Sequence, residues 1–185
     1  MLRRLALANF DHSRGGALPG GVVALPLITL VLGGVASGKS AYAESLVPPE
    51  AATVTYFATL DPSSEGVASR IAQHRRRRPA YWSTAECGLE LPRILESRGG
   101  LALVDSLGAW VARFPDCLVE ERPLLEALSR RVDPVILVSE EVGMSPLPAT
   151  AIGVAFQDAM GRVNRAVAAV ADQVFLVVAG RVLQL

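Results

Sequence analysis

At 185 residues, with 18 basic side chains against 18 acidic ones, the chain is long enough for one domain around a single core. Its formal charge of zero gives no global field toward nucleic acid or anionic membrane. An apolar fraction of 51% and a mean hydropathy of +0.36 point to strands buried on both faces.

Residues 1–26 read as a poorly ordered tail or linker without assigned function, ahead of one folded domain over 27–185. The opening MLRRLALANFDH has the basic start of a signal peptide. Asp11 ends its apolar stretch after about six residues, short of the roughly 7–15 a signal core needs. The uncharged stretch from Gly15 to Gly38 is not a membrane span. Pro19 and Pro26 interrupt it, and no apolar run in it reaches ~20 residues.

From residue 27 onward, apolar runs of strand length alternate with helical patterns. A buried strand is expected over 27–32 (LITLVL), then a Gly-rich turn and a helix over 39–46 that Pro48-Pro49 closes. The β-branched and aromatic run 53–58 (TVTYFA) reads as a second strand. Residues 65–77 read as a helix stopped by Pro79, and 89–97 as a short helix ended by Gly99-Gly100. LALV at 101–104 reads as a strand, 106–113 and 119–131 as helical, and VILVS at 135–139 as a strand. A long helix over 150–171, the strand 173–178 (QVFLVV) and a possible antiparallel edge strand over 181–185 complete the chain. Such alternation predicts an α/β fold with a mainly parallel central sheet flanked by helices. Cys87 and Cys117 show no CxxC spacing. With only His12 and His74 beside them, two reduced buried thiols in a cytoplasmic protein are a better reading than a zinc centre.

Directly after the first strand stands GGVASGKS: Gly33, Gly34, Val35, Ala36, Ser37, Gly38, Lys39 and Ser40. It satisfies G-x-x-x-x-G-K-[ST] in strand–loop–helix context, the pattern of a phosphate-binding loop. The glycines let backbone N–H groups turn inward around a phosphate, and the helix N-terminus adds partial positive charge. Lys39 would reach the β- and γ-phosphates, and the Ser40 hydroxyl would ligate Mg²⁺. An ordinary Gly-rich turn is the rival reading. Lys39 is the only lysine in the chain, against 17 arginines, and it falls where a compact ammonium is wanted. Asp105, closing LALVD, is the candidate second metal carboxylate at a strand end, where ligands sit in such sheets; a plain helix cap is its alternative. Glu140 and Glu141 stand at the end of the next strand, where one of them orders water or metal or both lie on the surface.

Taken together, GGVASGKS (33–40), YFAT (56–59), RIAQHRRRRPAYWSTAE (70–86), LVDSLGAWV (103–111), VSEEVGMSPLP (138–148) and GRVNRAVAAVADQVFLVVAG (161–180) resemble one family closely. It is the bifunctional adenosylcobinamide kinase / adenosylcobinamide-phosphate guanylyltransferase family of cobalamin biosynthesis. The resemblance covers about 28–180 and implies RecA-like P-loop NTPase subunits in a homotrimer. It implies phosphorylation of the aminopropanol hydroxyl of adenosylcobinamide with ATP or GTP. GMP transfer from GTP to that phosphate would follow, through a guanylyl-histidine at His74. Implied nucleotide contacts are the loop 33–40, Ala58, Thr59, Leu60, Arg75, Arg76, Arg77, Arg78, Glu86 and Asp105, with Ser40 and Asp105 at the Mg²⁺. The family commonly has Asn where this chain has Glu140, an added negative charge that would repel a triphosphate unless it faces away or binds metal.

The chemistry is consistent from the residues up. A nucleophilic histidine must be neutral; its ordinary pKa is about 6.5, and neighbouring positive charge favours the neutral form. Arg75 to Arg78 supply that charge and offer planar donors to a pyrophosphate leaving group. On a helix His74 shares a face with Arg70, Arg77 and Arg78. A solvated face or a nucleic-acid grip is the competing reading of the run. Neutral pI and the lack of interleaved aromatics weigh against the grip. Tyr81 and Trp82 read as packing residues rather than a base-stacking platform.

Overall fold

A computed structural model describes residues 26–61, 76 and 78–185. The expected tail, His74, Arg75, Arg77 and most of the helix expected over 65–77 lie outside the described residues.

Seven strands form one sheet: β1 (Ile28–Gly33), β2 (Val54–Ala58), β3 (Ser83–Glu86), β4 (Leu101–Asp105), β5 (Val135–Glu140), β6 (Gln173–Val178) and β7 (Arg181–Gln184). Their order is β3-β2-β4-β5-β1-β6-β7, with every pair parallel except the closing β6–β7 hairpin. The expected antiparallel edge at the C-terminus is therefore present. β3 is absent from the sequence reading. It has four residues with one buried, so neither length nor hydrophobicity marks it; pairing with β2 makes it a strand.

The helices are α1 (Lys39–Ser45), α2 (Leu91–Ser97), α3 (Leu107–Val111), α4 (Arg122–Arg130) and α5 (Ala151–Ala168). Several are shorter than the sequence suggests, each for a local reason. Gly88–Glu90 is a separate 3₁₀ turn before α2. Ser106 is the N-cap of α3, its hydroxyl accepting from the Ala109 N–H at 3.3 Å. Pro123 fixes the first turn of α4, which excludes 119–121. Thr150 caps α5 by accepting from the Gly153 N–H at 3.2 Å.

Both faces of the sheet are covered, as the continuous apolar strands require. One face carries Leu30, Phe57, Val104 and Leu137 against Leu95, Trp110, Leu128, Met160 and Val163 from α2 to α5. The other carries Val31, Tyr56, Leu103, Ile136 and Val177 against Ala43 and Tyr42 of α1. Trp82 packs on that second cluster, as expected, whereas Tyr81 is exposed and only its hydroxyl reaches the Pro49 carbonyl, at 3.4 Å. Cys87 and Cys117 are buried free thiols. Burial, aided by Glu86, pushes the Cys87 thiol up to about 11, so it stays protonated and unreactive near neutrality.

Candidate active site

The sheet register lines the expected site residues along one carboxyl edge. Ala58 pairs with both Glu86 and Asp105, and Gly33 pairs with both Glu140 and Val177. Asp105 pairs in turn with Val138, so Glu140 and Gly33 stand two residues further out, and the loops that follow open at the carboxyl edge where an open parallel sheet binds ligands.

The loop after β1 is held by two backbone hydrogen bonds. The Ser37 N–H donates to the Gly34 carbonyl at 3.3 Å, and the Gly180 N–H, from the β6–β7 turn, donates to the Ser37 carbonyl at 2.9 Å. Gly38 enters α1 at φ +96°, a conformation only glycine adopts freely. At Gly33 a Cβ would stand 2.7 Å from the Val177 carbonyl oxygen, so the strand end admits no side chain there. Val35 at the loop tip is exposed.

Ser40 and Asp105, 65 positions apart in sequence, meet: the Ser40 hydroxyl donates to Asp105 Oδ1 at 3.3 Å. The Tyr56 hydroxyl donates to Asp105 Oδ2 at 3.1 Å, fixing the carboxylate from the other side. Burial first, and then the charge of Asp105, push the Tyr56 phenol far above its ordinary value, so it acts here as a fixed donor. Arg78, the last of the arginine run, lies with its guanidinium carbon 3.6 Å from the centroid of the Tyr56 ring and donates to the Thr84 hydroxyl at 3.4 Å. Arg76 is exposed. Arg78 thus packs on the ring whose hydroxyl holds Asp105.

Thr59 is fully buried, and its side chain binds both backbone polar groups of Ser106. Its hydroxyl donates to the Ser106 carbonyl at 2.7 Å and accepts from the Ser106 N–H at 2.8 Å. It ties the end of β2 to the end of β4, while Ala58 and Leu60 flank it at the same edge. The Thr59 carbonyl accepts from Arg113 Nη1 at 3.4 Å.

Glu140 neither faces away nor lies on the surface. Its Oε1 stands 3.6 Å from Lys39 Nζ and accepts from the Ser106 hydroxyl at 2.8 Å, while Oε2 accepts from the Gly108 N–H at 2.9 Å. Gly108 carries no Cβ, and one there would overlap that carboxylate. Lys39 Nζ also donates to the Gly34 carbonyl at 3.3 Å. Glu141 turns outward and accepts from the Gly143 N–H at 2.7 Å. The added carboxylate is therefore a buttressed counter-ion to the phosphate-loop lysine. Ser106, Gly108 and Tyr56 were not singled out from the sequence, although each lies in a quoted stretch. Among the described residues no cluster of three or more His, Cys, Asp or Glu side chains forms a metal cage. The Ser40–Asp105 pair is instead a hard-oxygen half-site of the kind Mg²⁺ shares with phosphate and water.

The chain resembles known proteins in both fold and sequence. A prototypical ATPase from the type III secretion system of pathogenic bacteria superposes with a TM-score of 0.51 at 10% identity, covering 81% of this chain and 50% of that one. The likeness supports a RecA-like P-loop NTPase fold. The bifunctional adenosylcobalamin biosynthesis protein CobP of Pseudomonas aeruginosa is 38% identical over 160 residues, 82% of this chain and 92% of that protein. The bifunctional adenosylcobalamin biosynthesis protein CobU of Salmonella typhimurium is 34% identical over 176 residues, 83% of this chain and 97% of that protein. The cobinamide kinase / cobinamide phosphate guanyltransferase model matches residues 29–185, which takes in the phosphate loop, the arginine run and the Glu140 loop alike. With a lysine, a hydroxyl and a carboxylate gathered at one sheet edge inside that match, the chain belongs to the cobinamide kinase / cobinamide phosphate guanyltransferase family.

Proposed function

We propose that this chain phosphorylates adenosylcobinamide at the Lys39 edge of the sheet and then guanylylates the product through His74. The observation that carries the first half is the convergence of Ser40 and Asp105, at 3.3 Å, beside Lys39 within the family match.

In the kinase step the aminopropanol oxygen attacks the γ-phosphorus of ATP or GTP, the bridging bond to the β-phosphate breaks, and a nucleoside diphosphate leaves. Backbone N–H groups of the loop 33–40 cradle the phosphates, and Lys39 leaves Glu140 to follow the migrating charge. Ser40 and Asp105 would hold Mg²⁺, which neutralises phosphate charge when bound. Tyr56 keeps Asp105 aimed.

For the second reaction, a His74 ring nitrogen attacks the α-phosphorus of GTP and pyrophosphate leaves. The phosphate oxygen of the acceptor then attacks that phosphorus, the N–P bond breaks, and adenosylcobinamide-GDP forms with His74 restored. Support for this half is the sequence segment 70–86 and the family membership. Arg75 to Arg78 would offset the pyrophosphate charge, with Glu86 among the nucleotide contacts. A homotrimer is the assembly that goes with this reading.

GTP labelled at the α-phosphorus should leave acid-labile, base-stable label on the denatured chain. His74→Ala should carry none while still phosphorylating cobinamide. Label that persists in His74→Ala refutes the histidine route, and cobinamide phosphorylation that survives intact in Lys39→Ala refutes the kinase assignment.

A further inference from the structure

Two distinctive stretches, 138–148 and 161–180, contribute little to the phosphate machinery beyond Glu140 and the β6–β7 turn. The structure brings them together on the far side of that residue. Asn164 of α5 donates to the Glu140 carbonyl at 3.0 Å, and its Oδ1 accepts from the Ser139 hydroxyl at 2.6 Å. Gln157 Nε2 donates to the Val142 carbonyl at 2.7 Å. The loop leaving β5 is thereby fastened along α5. Between the two lies a depression of about 420 Å³, with Gly143, Ser145 and Leu147 on the loop side and Gln157, Asp158 and Arg165 on the helix side.

We propose that this groove receives one edge of the corrinoid acceptor and points its aminopropanol arm at Lys39. The inference rests on the acceptor being a cobinamide, as the family reading has it. Position is the first argument. Glu140 touches Lys39, and Gly143 is three residues further on, a reach of at most about 10 Å along the chain. The loop edge of the groove is thus continuous with the residue that touches Lys39.

Chemistry is the second. A corrin macrocycle has broad apolar faces and a rim of primary amides. Leu147, 78% exposed on the loop side, offers apolar surface. The Asp158 carboxylate and the Arg165 guanidinium, with the Ser145 hydroxyl, offer acceptors and donors for amides, the mixture small-molecule sites use to fix orientation. The volume is too small for the whole macrocycle, so the groove takes its edge.

Shape is the third. Gly161 sits mid-helix at the groove, and a Cβ built there meets nothing within 4 Å. A glycine inside a helix costs about 1 kcal/mol relative to alanine. The open recess beside it is what that cost obtains.

The test fills the recess. Gly161→Phe, with Gly161→Ala as a small, helix-favouring control, is assayed for direct cobinamide binding, for GTP binding, and for the KM of each substrate in the kinase reaction. Gly161→Phe should raise the cobinamide KM at least tenfold and weaken cobinamide binding in step, with GTP binding within twofold of wild type. Arg165→Ala should raise the cobinamide KM several-fold, and it carries the test should the Phe variant not fold. Unchanged cobinamide KM and binding in Arg165→Ala and in a folded Gly161→Phe overturn the proposal. So does a Phe variant altered only in its sedimentation, which would make the groove a contact between copies of the chain. Wild-type protein that binds no cobinamide removes the functional reading itself, separately from the groove.

Discussion

Glu140 sets the electrostatics of the phosphate loop. Its carboxylate holds Lys39 at 3.6 Å and is itself held by the Ser106 hydroxyl and the Gly108 N–H. A triphosphate entering the loop must draw Lys39 away and settle near a fixed negative charge. Both effects oppose binding, and the pair lies in a partly buried site where screening is weak. Glu140→Gln keeps an acceptor for its two donors and removes the charge. The variant should bind GTP about threefold to tenfold more tightly, a gain of about 1 kcal/mol, when measured by calorimetry without corrinoid. Weaker binding in Glu140→Gln would show that the carboxylate serves the nucleotide rather than competing with it.

At the scale of elements, the corner joining α2 to β4 depends on one buried cation. Arg131 donates to the carbonyls of Leu95, Arg98 and Gly100 at 2.7, 2.9 and 2.6 Å, and through Nε to that of Asp133 at 3.3 Å. It collects the orphan carbonyls at the end of α2, which has no glycine cap of its own. Asp133 completes the corner by accepting from the Gly100 N–H at 2.8 Å. Arg131→Met keeps the volume and strands those acceptors, so it should cost about 3 kcal/mol of stability in a denaturant titration. A loss below about 1 kcal/mol would mean that water replaces the guanidinium. Sequence pattern does not reveal this role, because the Arg130-Arg131 pair at the end of a helical stretch reads as solvated charge. The same limit hid β3, whose STAE sequence is strand-like only beside β2. The buried strands were legible because burial on both faces imposes continuous apolar runs, and LITLVL, LALV and VILVS stand out against their surroundings. That Lys39, Ser40 and Asp105 would stand at one sheet edge was legible because the G-x-x-x-x-G-K-[ST] pattern sets the first two in one strand–loop–helix unit and Asp105 closes a buried strand. Tyr56 and Ser106 were not, and Thr59 was named only as a nucleotide contact, since their bonds to each other and to Asp105 cross distant segments.

For the molecule as a whole, the phosphate loop gathers contacts from four neighbouring strands of the sheet. Gly33 ends β1, the β6–β7 turn bonds Ser37, β4 supplies Asp105, and β5 supplies Glu140. A nucleotide held there contacts groups from both halves of the strand order, so its binding energy should oppose global unfolding rather than stiffen one loop. For a ligand that binds only the folded state, a concentration of about 100 times Kd adds about 2.7 kcal/mol. In a chain of this size each 1 kcal/mol raises Tm by roughly 2–4 °C, so saturating GTP with Mg²⁺ should shift the melt by roughly 5–10 °C. Omitting Mg²⁺ should reduce the shift, because Ser40 and Asp105 then face the phosphates with no cation between them. Asp105→Asn should abolish that difference between metal-loaded and metal-free nucleotide while keeping part of the shift, since the backbone cradle is intact. A full Mg²⁺-dependent shift in Asp105→Asn would place the metal elsewhere and remove Asp105 from the phosphate site.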